Sequence, residues 1–307
     1  MAEWSKALAW KVSIRQKRIE GSNPSRSATY SSRAALSHIR SAPRWVGWRA
    51  FMPALVALFF ATALLYATAG FGGGSTYNAL LVLAGADYRA VPVVALACNI
   101  LVVTAGSWRF ARSGHVDWGR IWPLFVLSIP FAWLGGRLVV AETVFVGLLA
   151  ASLLAAGLLM LWQPRWEKEA PTGPRTRWIE PVAGGALGFL AGIVGIGGGI
   201  FLAPLLYMLR WGPPKAIAGT CAVFILANSL AGLAGQLAKG SGGAAAEALA
   251  TFWPLFPAVL AGGLIGSTLG SGRLDSKYVR ILTALLILYV AVRLAIRFYG
   301  ETMGASG

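Results

Sequence analysis

Two glycine clusters interrupt an otherwise apolar chain. Gly70-Phe71-Gly72-Gly73-Gly74 and Gly195-Ile196-Gly197-Gly198-Gly199 stand 125 residues apart, each preceded by one apolar run and followed at once by another. Glycine weakens a helix and is expected inside one only where the backbone must bend or be closely approached. A bilayer tolerates a broken helix only where protein or a water-filled cavity shelters the freed N–H and C=O groups. Two such breaks at matching places in two halves point to a membrane fold with interrupted spans and to a solute site at the breaks.

Composition supports that class. Apolar residues make up 57% of the 307 residues and charged residues 12%, about half the charge of an ordinary soluble domain. Mean hydropathy is +0.65. Apolar segments fall at about 51–69, 75–86, 90–108, 121–140 and 143–162, then at 181–195, 199–210, 214–238, 252–270 and 278–298. The expected fold class is all-α: a polytopic helical membrane protein with about eight spans in two homologous repeats, the segments beside the glycines being broken or re-entrant because they are too short to cross alone.

The net charge of +16 does not indicate nucleic acid. No basic stripe interleaved with aromatics is present, and the charges lie in short gaps between apolar runs, where they set topology. With eight crossings, loops 109–120 and 163–180 share the cytoplasmic side with both termini, which leaves Arg210, Lys215 and Arg273 outside.

Residues 1–49 differ from the rest, with ten Lys or Arg against two Glu and no apolar core of a signal peptide. Their composition is that of an organelle transit peptide or of translated non-coding sequence, with initiation at Met52 as the expectation. Either way the extension has little apolar surface to order it. The domain reading is therefore 1–49 extension, 50–162 first transmembrane repeat, 163–180 cytoplasmic linker, 181–299 second repeat and 300–307 tail.

The second repeat follows the first in order. The glycine clusters match at an offset of 125, whereas Trp122-Pro123-Leu124 matches Trp253-Pro254-Leu255 at 131, as does Leu134-Gly135 with Ile265-Gly266. An insertion within 240–246 explains the drift.

The stretch Gly195-Ile196-Gly197-Gly198-Gly199-Ile200-Phe201-Leu202-Ala203-Pro204-Leu205 resembles the signature of the sulfite exporter TauE/SafE family of membrane permeases. Gly70 to Leu80 resembles a diverged copy, with Ala79 where the second copy has Pro204. Ala218-Gly219-Thr220-Cys221 is similar to the family's Gly-Thr-Ser element, and Gly114-His115-Val116-Asp117-Trp118 to its loop after the third apolar segment. The resemblance, over about residues 52–298, implies transport of small anionic sulfur compounds such as sulfite or organosulfonates, with multi-pass residence in the cell membrane.

The residues fit an anion on their own terms. A helix restarting after glycines presents unpaired N–H groups and the positive end of its dipole, an anion site without a buried cation. The candidate substrate-binding residues are Gly70, Gly72, Gly73, Gly74, Ser75, Thr76, Asn78 and Asn99 in the first half. In the second they are Gly195, Gly197, Gly198, Gly199, Pro204, Thr220 and Asn228. The glycines serve equally as tight packing positions, and the neutral polar residues as interhelical hydrogen bonders.

No Asp or Glu lies deep in an apolar run, which favours passive or anion-driven movement over a carrier with mid-membrane ionisable groups. Arg137, near the end of its span, is expected to snorkel. Cys98, Cys221, His38 and His115 form no disulfide framework or metal motif. Neither cofactor nor metal is expected, and the partners are a small anionic solute and the lipid bilayer. A nucleotide-binding enzyme lacks its strand context. A non-transporting membrane enzyme or assembly factor is the alternative, although the spans lack paired acids, Ser-His or metal ligands.

Overall fold

A computed structural model describes residues 51–68, 71–162, 178–239, 242–270, 281, 284–285 and 287–296. Expectations for the extension 1–49, Gly70, Arg273, the linker up to residue 177 and the tail 300–307 lie outside the described residues. No strand occurs among those described. The helices are α1 (Met52–Thr68), α2 (Gly74–Leu83), α3 (Val91–Arg112), α4 (Trp118–Arg137), α5 (Glu142–Trp162), α6 (Ile179–Val194), α7 (Gly199–Met208), α8 (Pro214–Leu237), α9 (Gly242–Thr251), α10 (Leu255–Gly270) and α11 (Ile287–Ile296).

Local chemistry sets several ends. The Asp117 carboxylate accepts from the Arg120 N–H at 3.1 Å and caps α4. Pro92 and Pro214 occupy first turns, where a missing N–H goes unused. The α3, α5 and α8 helices are long and apolar enough to cross a membrane alone, and α9 with α10 is long and apolar enough only as a pair, bent by 63° at residues 252–254. Many large apolar side chains face outward, among them Leu58, Val126, Phe131, Leu158, Leu260 and Val292. A soluble monomer rarely exposes so much apolar surface. Exposed Trp108, Trp118, Trp122, Trp178 and Trp253 stand at or next to helix ends, the usual position of interfacial tryptophan.

Contacts between glycines and neighbouring backbones reveal the direction of each helix. Gly184, Gly188 and Gly192 of α6 lie against the carbonyls of Leu124, Ser128 and Ala132 of α4. Both series ascend by four, so the helices run parallel, and the glycines permit the close approach. Gly262 and Gly266 of α10 meet the carbonyls of Phe60 and Leu64 of α1 in the same sense. The α3 helix also runs with α10, since Gly263 packs on Val102 and the Arg109 guanidinium donates to the Ser267 carbonyl at 2.7 Å. The α8 helix runs with α4, since Phe125 pairs with Phe224 at 6.1 Å and Gly136 lies against Gly232. By contrast, Leu96 lies against Gly232 and Asn99 bonds to Ser229, an opposite order that makes α3 antiparallel to α8.

The helices α1, α3 and α10 thus point one way, and α4, α6 and α8 the other. In the repeat, α1 corresponds to α6, α3 to α8 and α4 to α10. The two repeats are therefore inverted. One packing detail is shared by both halves: Gly135 lies against the Phe189 carbonyl, and Gly266 against that of Leu64. These are the same two positions at offsets of 131 and 125.

Because α1 and α3 are parallel, α2 must return the chain to the face where α1 begins. Tyr88, beyond its end, sits 6.2 Å from Phe145 at the start of α5. Likewise α7 returns to the face where the linker joins α5 and α6, and Trp211 there stacks under the Arg120 guanidinium at 4.6 Å. Among the described residues, the apolar part groups into eight elements: the hairpins α1–α2 and α6–α7, the bent pair α9–α10, and α3, α4, α5, α8 and α11. The expected sidedness needs correction. A hairpin returns to its own face, so α1 begins opposite the 113–117 loop and the linker rather than beside them. Arg210 and Lys215 now share a face with Arg120.

Candidate functional site

The two glycine stretches meet near mid-depth, beside residues 99–103 of α3 and 225–229 of α8. In the second stretch, α6 ends at Val194, and Gly195 at φ +79° donates to the Ala191 carbonyl at 2.8 Å. Gly197 and Gly198 both have φ +78°, a left-handed conformation that side chains strain to adopt. The α7 helix then starts with no side-chain cap; Phe201 and Leu202 donate to the Gly198 carbonyl. The N–H groups of Gly199 and Ile200 precede that first intrahelical bond. In the first stretch, Gly73 is the residue before α2, and Tyr77 N–H makes the first helical bond to its carbonyl at 2.9 Å. The N–H groups of Gly74, Ser75 and Thr76 precede it. Two helix N-termini from opposite faces therefore bring their partial positive charge to one place.

The stretches touch directly. A β-carbon at Gly74 would lie 2.8 Å from the Ile196 carbonyl oxygen and 3.2 Å from Asn99 Nδ2. A β-carbon at Gly72 would overlap Asn99 Oδ1, and one at Gly197 would overlap Asn99 Nδ2. Asn99 is fully buried, and its Nδ2 donates to Ser229 Oγ at 3.0 Å. Asn78 Nδ2 donates to the Val194 carbonyl at 2.9 Å, tying the first turns of α2 to the end of α6. The carboxamide oxygens of Asn78 and Asn99 and the Tyr77 hydroxyl are buried without hydrogen-bond partners. The Tyr77 ring lies over Gly73 and stacks on Phe59 at 4.7 Å between centroids.

The structure brings Gly72, Gly74, Asn99 and Gly197 into contact, with Gly73, Ser75, Thr76, Asn78 and Gly199 adjoining; Gly195 packs instead on Pro92, and Gly198 faces Phe224, Ala191 and Leu187. Three further candidates lie elsewhere. Pro204 and Thr220 are buried more than a turn away along α7 and α8. Asn228 faces α4: it accepts from the Ser128 hydroxyl, and its amide donates to the Phe224 carbonyl at 2.9 Å. Two contributors escaped the sequence reading. The Tyr66 hydroxyl lies 2.7 Å from Thr76 Oγ1 and 3.3 Å from Ser75 Oγ, and Ser229 holds Asn99.

The junction can supply backbone N–H donors, two hydroxyls and neutral carboxamides. Cys98 and Cys221 are free and buried, and no cluster of three metal-ligating side chains occurs among the described residues. Arg137 is exposed at the end of α4, 5.2 Å from the Trp133 ring.

The sequence model of the sulfite exporter TauE/SafE family matches residues 54–294. The chain is 34% identical over 244 residues to "Probable membrane transporter protein y4hK" of Sinorhizobium fredii, covering 78% of this chain and 96% of that protein. It is 28% identical over 204 residues to "Probable membrane transporter protein MJ0441" of Methanocaldococcus jannaschii, covering 62% of this chain and 74% of that protein. No solved structure matches.

Proposed function

This chain belongs to the sulfite exporter TauE/SafE family of membrane transporters, and from that premise we propose that it moves small sulfur oxyanions, sulfite or organosulfonates, across the cell membrane. The observation that carries this reading is the approach of Gly74 to Ile196, which sets the N-termini of α2 and α7 at one buried point. Oriented amides and two helix dipoles stabilise an anion there without a buried cationic side chain. Glycine lets an oxygen reach the backbone. Ser75 and Thr76 add hydroxyl donors on the α2 side.

Inverted repeats supply the machinery for alternating access, with one half rocking against the other around a fixed site. The linker face gathers Arg109, Arg112, Arg120, Arg210 and Lys215, together with the basic linker sequence around Arg165 and Arg175. The opposite face has Arg89, Arg137, Lys239 and Arg293. By the excess of Lys and Arg, the linker face is cytoplasmic.

Flux into proteoliposomes tests the reading. Saturable uptake of radiolabelled sulfite, competed by methanesulfonate, is expected. Failure of sulfite, sulfonates and other small acids to move would leave the non-transporting alternative.

A further inference from the structure

We propose that Asn99 is an internal plug of the solute site and Ser229 its latch: the Asn99 carboxamide fills the space between the two glycine breaks and must leave Ser229 before solute binds. The inference rests on the site assignment above and adds how that site is closed.

One side chain contacts both breaks. Asn99 Oδ1 lies over Gly72, and Nδ2 lies against Gly74 and Gly197. No residue larger than glycine fits at 72 or 197 while Asn99 holds this position. The Asn99 oxygen is fully buried yet has no hydrogen-bond partner, an arrangement that proteins avoid unless something compensates. It lies over Gly72, just ahead of α2, where a solute oxygen would approach the glycine backbone. Its other end is held by the 3.0 Å bond to Ser229 Oγ.

A second buried asparagine provides an internal comparison. Asn228 uses both ends of its carboxamide, one to Ser128 and one to the Phe224 carbonyl. It is a strut between α8 and α4. Asn99 uses one end, toward α8, and leaves the other against glycine backbone. A side chain so held can swing aside by breaking one bond, and its orphan oxygen gains a partner when it does.

Two measurements test the pair. In proteoliposomes, Ser229→Ala removes the latch bond from the closed state. That bond is worth a factor of about five in an equilibrium, so KM for radiolabelled sulfite should fall by up to about fivefold with Vmax kept. An unchanged or raised KM overturns the latch. The second measurement needs no solute. With Cys98 and Cys221 replaced by alanine, a thiol placed by Ser229→Cys is exposed to a charged methanethiosulfonate reagent. It should react faster when Asn99→Ala is also present, and equal rates overturn the plug. Unmasking of the thiol without anion flux in any form keeps the plug and refutes the anion reading. Flux with the original KM and equal labelling refutes the plug alone.

Discussion

Gly74 opens α2 with its Cα facing the Ile196 carbonyl, so close that a β-carbon at 74 would stand 2.8 Å from the oxygen. The two residues belong to different repeats and enter from opposite faces. Their contact makes one junction of two breaks that lie far apart in sequence.

Gly74→Ala tests that contact with the smallest possible side chain. A backbone carbonyl cannot move aside as a flexible side chain can, so the tips must separate. Overpacking of this kind costs about 1–3 kcal/mol. A lower Tm in detergent and loss of sulfite flux are expected; unchanged values would show that the tips yield freely.

Gly198→Leu is expected to abolish transport while the protein still inserts, because its side chain would press on Phe224, Ala191 and the Leu187 carbonyl beside the start of α7. The structure adds a second cause, because φ is +78° there and an L-residue in that region is strained by about 1–2 kcal/mol. Gly198→Asn separates the two, since asparagine tolerates the conformation. Its thermal stability should stay near the original while flux falls, the residue's new side chain competing with Phe224 for space at 3.2 Å.

Gly135→Ala and Gly266→Ala should destabilise alike, each by about 1–3 kcal/mol, because both press on a carbonyl at equivalent places in the inverted repeats. Gly106→Ala meets nothing within 4 Å and should raise stability by about 0.5–1 kcal/mol through helix propensity. Thermal unfolding of the three variants checks the symmetry; a large difference between the first two contradicts it.

Tyr66→Phe strips the hydroxyl shared by Ser75 and Thr76. A loss of about 1 kcal/mol in stability is expected, with a change in KM for sulfite as the two hydroxyls reorient. An unaltered KM would place them outside the solute's reach.

Sidedness is tested by single thiols in a background without Cys98 and Cys221. Ser113→Cys should label from the cytoplasm and Val139→Cys from outside; both positions are exposed. Labelling of both from one side would show that α4 does not cross the membrane.

Sequence by itself determined the membrane class, the segment pattern, the duplication and the two break points, because each depends on local properties: apolar run length, and glycine where the backbone reverses. It also singled out Asn99 and Asn78, neutral polar residues that stand out in hydrocarbon. It could not separate Asn99, which faces the breaks, from Asn228, which braces α4, since both are neutral polar residues inside similar apolar helices. Nor could it tell a broken crossing from a hairpin. That choice depends on whether α1 runs with α3, which is fixed by the packing of Gly262 and Gly266 on α1 and of Gly263 on α3, between elements far apart in the chain. The inversion of the repeats, the meeting of Gly74 with Ile196 and the bond from Asn99 to Ser229 were decided only in the tertiary structure. Each depends on which helix faces meet across the core, and the order of residues along one strand of chain does not encode that register.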